Sequence, residues 1–196
     1  LPKAESAEGL QEVEARIRRA EGAGQRVRIL ALVETARGIA RAAALGKAAG
    51  RVDAMCFGHA DFALDMGLTD ADAQHGVVFH ARCALAIAAR ATRVAPIDNV
   101  YLAVRDDAAF RADAELGVKL GYEGKLCIHP TQVRIANEVY TPTPEQIGHA
   151  QRVVDAWAEA RRNGRGVCTV DNVMVDAPVV ALHLRILARA RRAGLA

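Results

Sequence analysis

Two acidic side chains stand where an apolar run gives way to a helical pattern: Glu34 closes Leu30-Ala31-Leu32-Val33-Glu34, and Asp61 closes Phe57-Gly58-His59-Ala60-Asp61. Carboxylates delivered to the same end of a parallel sheet repel one another unless a cation lies between them. Hard oxygen donors that leave positions open for water and substrate are what Mg²⁺ takes, so Glu34 and Asp61 are the candidate metal ligands. Asp98 ends a further short apolar run and His129 another, which puts both at the same end of the sheet. Lys3, also at a strand end, would face the same mouth and meet a carboxylate or phosphate there, or else be a surface lysine. Each acid has a plainer reading as a helix N-cap or a solvated charge, and for His129 a structural hydrogen bond outweighs a pocket-lining role. Their shared topological position is the argument for function.

The elements that position these residues follow a strand-helix rhythm. Ser6 reads as the N-cap of a helix in which Leu10, Val13, Ile17 and Ala20 recur at helical spacing, stopped by Gly22-Ala23-Gly24. Residues 27–33 form a nearly continuous apolar run, suited to a parallel strand buried on both faces. Thr35 then caps a helix to about Ala49. Residues 52–57 repeat the strand reading, followed by a short helix over 62–66, an Ala-rich helix over about 77–91 and a strand over 94–100. A helix over 106–120, a strand over 125–128 and a helix over about 131–139 complete the series. Strands alternating with helices imply right-handed crossovers and a parallel sheet, with functional residues at the strands' carboxyl ends. About five strand-helix units are present, whereas a closed eight-fold barrel takes about 250 residues. The choice lies between an open doubly wound sheet and a barrel lacking its first units.

Tyr140-Thr141-Pro142-Thr143-Pro144 is the clearest break in composition. It divides residues 1–140, the partial barrel with the metal site, from a C-terminal helical extension over 141–196. The extension carries a helix from Pro144 to about Asn163 and a terminal helix from Pro178, with Val179, Leu182, Ile186, Leu187 and Ala190 marking one apolar face. That face has to be buried somewhere, and association with further copies is the usual solution. The chain opens on Leu1-Pro2-Lys3, which reads as the end of a strand, so upstream units are expected.

The balance of 26 Lys+Arg against 23 Asp+Glu is nearly even, and the basic residues are scattered rather than gathered with aromatics. Nucleic-acid binding is therefore unsupported. No apolar run approaches the ~18 residues of a membrane helix, and Cys56, Cys83, Cys127 and Cys168 form no Cys-x-x-Cys pair. These features suggest reduced core cysteines and a cytoplasmic location.

The chain also resembles a known family. Leu1-Pro2-Lys3-Ala4-Glu5-Ser6, Leu32-Val33-Glu34-Thr35-Ala36-Arg37-Gly38, Phe57-Gly58-His59-Ala60-Asp61, Ala95-Pro96-Ile97-Asp98, Gly124-Lys125-Leu126-Cys127-Ile128-His129-Pro130-Thr131-Gln132 and Met174-Val175-Asp176-Ala177-Pro178 occur in the order and approximate spacing of the citrate lyase beta subunit group within the HpcH/HpaI aldolase superfamily. The resemblance implies an α/β fold, a TIM-type (β/α)8 barrel of which about the last five units are present, with a C-terminal helical lid. It implies a Mg²⁺-dependent lyase that cleaves a carbon-carbon bond in a 3-hydroxy-acyl-CoA thioester of citryl-, malyl- or citramalyl-CoA type, and a homo-oligomer, trimeric or hexameric. Glu34 and Asp61 match the family's metal-binding pair. Asp176 matches a catalytic acid on the lid, an alternative to its reading as an N-cap, while Arg37, Asp98, His129 and Lys3 are the substrate-binding candidates. The family's substrate-binding Arg belongs to an upstream unit that is not in this sequence, and His59 and Ala60 depart from the family's usual residues. Two other readings stand beside this one: an aldolase of the same superfamily acting on free 2-oxo acids, and a non-catalytic remnant that binds metal or acyl-CoA.

Overall fold

In the computed structural model, which describes residues 1–24 and 26–195, helices and strands alternate as the caps and turns dictate. Ser6 accepts a hydrogen bond from the Gly9 N–H and opens α1 (Ala7–Ala20). β1 (Ile29–Val33) follows, two residues shorter at its start than the apolar run suggests. Thr35 accepts from the Gly38 N–H and caps α2 (Ala36–Ala40), and α3 (Ala42–Ala48) succeeds it. The single helix expected over 35–49 is thus two: at Arg41 (φ −109°, ψ 8°) the backbone leaves the helical region, and its N–H is shared among the carbonyls of Arg37, Gly38 and Ile39.

β2 (Val52–Phe57), α4 (His59–Asp65), α5 (Gly76–Thr92), β3 (Ala95–Asp98) and α6 (Asp107–Lys119) come next, the last capped by Asp106 through the Ala109 N–H. β4 is only Gly124–Lys125, not the four residues expected, and α7 is Pro130–Tyr140. After one more inter-strand bond, from the Leu126 N–H to the Asp98 carbonyl, the Gln132 side chain accepts the Ile128 N–H and draws the chain into α7.

The strands are parallel and lie in the order β1-β2-β3-β4, each beside its successor. Along the other edge of β1, the Leu1 amino group donates to the Leu30 carbonyl (2.8 Å), Leu32 N–H to the Leu1 carbonyl (2.8 Å) and Ala4 N–H to the Leu32 carbonyl (3.0 Å). The expected five strand-helix units are therefore present, with residues 1–4 as the first strand position. An order without reversal is that of a singly wound barrel, whereas a doubly wound sheet reverses at a switch point. In β1 the helix-facing residues Ile29, Ala31 and Val33 are buried while Leu30 on the other face is half-exposed.

Between sheet and helices lies a network of four charges. Arg82 of α5 donates Nε and a terminal nitrogen to the Asp98 carboxylate (2.8 and 2.5 Å), and its remaining N–H groups reach Asp113 Oδ1 (2.9 Å), the Asp113 carbonyl (3.1 Å) and the Ala73 carbonyl (3.1 Å). All five donors of the guanidinium are taken up. Lys125 Nζ donates to Asp113 Oδ2 (2.5 Å) and Asp98 Oδ2 (3.3 Å), and Tyr122 Oη closes the group by donating to the Arg82 carbonyl. Two cations offset two carboxylates, which makes complete burial tolerable. Gly117 leaves room for this: a Cβ there would collide with Asp98 Oδ2 and Tyr140 Oη. Burial alone would raise the Asp113 pKa, but Lys125 and Arg82 hold it below the usual carboxylate value.

Residues 141–195 form a second compact unit, separate from Leu1–Tyr140. Thr143 and Gln146 make a reciprocal capping box at the start of α8 (Pro144–Arg162). β5 (Cys168–Val170) and β6 (Val173–Val175) pair antiparallel across Asp171-Asn172, both at positive φ (50° and 62°), the geometry of a tight hairpin turn. α9 (Ala177–Arg192) packs on α8 through Val180, Leu187 and Ala190, while Leu182, expected on that face, is exposed. The four cysteines are free thiols, and burial pushes Cys56 up to about 11. Among the described residues no helix is long and apolar enough to cross a membrane.

The network predicts that Arg82→Met, which strands two buried carboxylates, costs about 3–5 kcal/mol in urea unfolding. A carboxylate with a depressed folded-state pKa contributes stability above its unfolded value and loses it as pH falls. Urea midpoints should therefore drop on acidification below about pH 4, and the part of that drop owed to Asp113 should be absent in Asp113→Asn.

Candidate functional site

Glu34 follows the last residue of β1 and is nearly buried, with Oε1 accepting the Lys3 N–H at 2.9 Å. It lies against Gly58, the residue after β2: a Cβ there would come within 2.6 Å of Glu34 Oε2. Glycine at 58 is what allows the carboxylate to lie across the strand ends. Lys3 itself sits at φ 48°, a left-handed conformation that costs a non-glycine residue roughly 1–2 kcal/mol. That conformation accompanies the hydrogen bond from its N–H to Glu34.

Asp61 stands in the first turn of α4 with its side chain half exposed, and Lys3 Nζ lies 3.9 Å from its Oδ1. α4 is held in place at both ends. Phe62 packs on Phe57 with ring centroids 5.9 Å apart, and Asp65 Oδ2 accepts the Ala36 N–H at the start of α2 (2.8 Å). The sequence therefore delivers Lys3, Glu34 and Asp61 from three successive strand ends to one place. Burial raises the Glu34 pKa and the charge of Asp61 raises it further, against the pull of the Lys3 N–H. A carboxylate destabilised by its neighbour's charge is the electrostatic setting a divalent cation relieves. Among the described residues no group of three or more His, Cys, Asp or Glu side chains converges to hold a metal. A cation on this pair would have most of an octahedral shell open to water and ligand.

The other candidates lie elsewhere. Arg37 is largely exposed, 3.6 Å from Glu5. Asp98 requires a correction: its side chain has no exposed surface and is committed to Arg82 and Lys125, so it braces the sheet against the helices and has nothing to offer a substrate. His129 is exposed at the entry to α7, its Nδ1 2.9 Å from Thr131 Oγ1. Asp176, in the second unit, caps α9 by accepting the Val179 N–H (3.1 Å). Sequence reading overlooked Arg82 and Asp113 and gave Lys125 no role beyond its motif. The available signal was a lone arginine on the apolar face of an Ala-rich helix, where it has to find buried acids.

The HpcH/HpaI aldolase/citrate lyase family model matches residues 1–130. The chain is 32% identical to the citrate lyase subunit beta of Escherichia coli K12 over 199 aligned positions, covering all of this chain and 66% of that one. It is 37% identical to a (3S)-malyl-CoA thioesterase of Cereibacter sphaeroides over 161 positions, covering 82% of this chain and 55% of that enzyme. Among solved structures, CitE of Mycobacterium tuberculosis in complex with magnesium, acetoacetate and coenzyme A superposes with a TM-score of 0.77 at 31% identity, over 97% of this chain and 67% of that one. A citrate lyase from Burkholderia xenovorans LB400 gives a TM-score of 0.83 at 25% identity, over 100% and 64%. The chain thus spans about two thirds of the length of these relatives or less.

Two substitutions test the geometry. The Glu34 pKa is raised in the fold, so its contribution to stability is full below the unfolded value of about 4.3 and is lost as pH rises through the folded one. Glu34→Gln should accordingly gain melting temperature over the wild type at pH 8 but not at pH 4. Gly58→Ala should melt lower than the wild type at either pH, because the new methyl group displaces the Glu34 carboxylate.

Proposed function

Because the chain belongs to the HpcH/HpaI aldolase/citrate lyase family, we propose that it carries the metal-binding part of a Mg²⁺-dependent carbon-carbon lyase that cleaves a 3-hydroxy-acyl-CoA thioester to acetyl-CoA and a 2-oxo acid. The observation that carries the reading is the convergence of Glu34 and Asp61 at adjoining strand ends, with Lys3 beside both. Relatives crystallised with magnesium together with coenzyme A and acetoacetate, or with oxaloacetate, support the choice of metal and substrate class. When bound, Mg²⁺ supplies Lewis acidity to the C–O group next to the bond being broken.

The residues of this chain have separable tasks in the reading. Glu34 and Asp61 hold the cation and set the substrate's orientation. Lys3 fixes Glu34 through its backbone, and its ammonium, close to Asp61, is a donor for a substrate carboxylate. Cleavage leaves an enolate on the acetyl thioester, which has to take up a proton. Asp176, in the C-terminal unit, is the residue to which this proposal gives the return of that proton. Its Oδ1 is committed to the Val179 N–H, so Oδ2 is the oxygen left for the proton. Arg37 and His129 remain as exposed groups for the acidic end of the substrate, and the active form is a homo-oligomer.

Thermal unfolding with and without Mg²⁺ tests the metal assignment. At a hundred times the dissociation constant the cation should stabilise the protein by about 2.7 kcal/mol, and Glu34→Ala and Asp61→Ala should each erase that gain. A shift that survives both substitutions would remove the basis of the assignment. Offering citryl-, malyl- and citramalyl-CoA beside the free hydroxy acids, and following release of the 2-oxo acid, tests the substrate class. Release from a thioester alone is the expected result.

A further inference from the structure

Close to the carboxylate pair in sequence, but distinct from it, residues 71–75 and 99–103 enclose a cleft of about 440 Å³ that His59 and Asp113 also line. His59 lies two residues before Asp61 in the first turn of α4, and Asn99 follows the last residue of β3, so the cleft opens at the same strand ends. Both side chains are almost completely buried (5% and 1% exposed), yet His59 Nδ1 and Asn99 Oδ1 have no hydrogen-bond partner. The Asn99 amide is oriented by its Nδ2, which donates to the Val100 carbonyl at 2.7 Å, leaving Oδ1 as an acceptor awaiting a donor. A buried polar atom left in this state costs roughly 1–3 kcal/mol. Two such atoms in one cleft are the mark of a site that a ligand completes.

The rest of the lining limits what that ligand is. No lysine or arginine lines the cleft, and its two carboxylates are already engaged, Asp72 by the Gln74 N–H and His75, Asp113 by Arg82 and Lys125. An anionic group would find no lysine or arginine side chain among the lining residues to pair with. Alanines, Val100 and Leu102 supply an apolar surface suited to methylenes. We infer that the cleft is a subsite for an uncharged aliphatic amide, whose N–H donates to Asn99 Oδ1 while its carbonyl oxygen accepts from His59 Nδ1–H. The inference rests on the thioester reading in one respect: the amide-bearing arm of an acyl thioester is a segment of this chemistry, and a free neutral amide is the other source. His59 then supplies the donor that a free acid lacking an amide carbonyl would leave unused.

The test is NMR titration of the whole chain, following the His59 ring and the Asn99 side-chain NH2 signals. The probes are pantetheine, N-acetylcysteamine as a short free amide, and malonate as an anion. Pantetheine should shift both sets of signals saturably and malonate should not. Asn99→Leu should weaken pantetheine binding by about tenfold, the loss of one buried hydrogen bond. Leu102→Trp, at an exposed position that leaves the core intact, should block the cleft. Pantetheine binding more tightly than N-acetylcysteamine identifies the thioester arm as the source, and equal binding identifies any neutral amide; either outcome upholds the subsite. Unmoved His59 and Asn99 signals, equal binding of malonate, or unchanged pantetheine affinity in both variants would overturn it and leave a water-filled recess. Mg²⁺ stabilisation measured on the same samples keeps the questions apart: a Glu34-dependent shift without pantetheine binding refutes the subsite and leaves the metal reading standing.

Discussion

The fold of the first unit depends on the Arg82 guanidinium being able to spend all five of its N–H groups inside the protein. A buried arginine with even one unpaired donor would be a liability of several kcal/mol. Here the two acids that satisfy it come from β3 and α6, and Lys125 from β4 balances the charge. Four elements, α5, β3, α6 and β4, are thereby tied together. Register follows from this as well, since Asp98 pairs with Lys125 across neighbouring strands. Residues immediately beyond those strands, Asn99 among them, inherit their positions from a group of charges that never touches solvent.

The carboxylate pair is governed by the opposite condition. Among the described residues the cation paired with Asp61 is the exposed Lys3 ammonium, and burial sets Glu34 against its own ionisation. The two clusters of charge on this sheet differ in completeness: one is closed and neutral on the helix side, the other open and acid-rich at the strand ends. Alternation along the strand separates them. Asp98, in line with the helix-facing residues, joins the closed cluster, whereas Glu34, one residue past Val33, turns to the other face.

Much of the fold was legible because it rests on local signals. Ser6, Thr35, Asp106 and Thr143 cap where hydroxyl and carboxylate side chains are expected to, and glycine and proline mark the turns. Strand ends were less legible. β4 stops early because Gln132, seven residues further on, captures a backbone N–H, and no periodicity encodes that competition. In the site, Glu34 and Asp61 could be placed at the same end of the sheet from topology, although the register sets Glu34 beside Gly58 and Asp61 stands three residues further on, in α4. Asp98 is still inside β3, and its phase in the strand, in line with Val33 and Phe57, decides which way it points. The Asp171-Asn172 turn was a missed hairpin signal, a pair of residues tolerant of positive φ between two short β-branched runs.

The pairing of residues 1–4 with β1 bears on how the protein comes into being. Because every strand lies beside its successor, the contacts that join Lys3, Glu34 and Asp61 close loops of about 60 residues or fewer. Loop-closure entropy rises with the length enclosed, and chains built from such near-neighbour contacts fold faster than those that must first bring distant segments together. During synthesis the three strand ends emerge in turn, all before Lys125 arrives to neutralise the buried acids. Lys3, Glu34 and Asp61 are thus joined by contacts within the first 61 residues, whereas the charge network waits for Lys125.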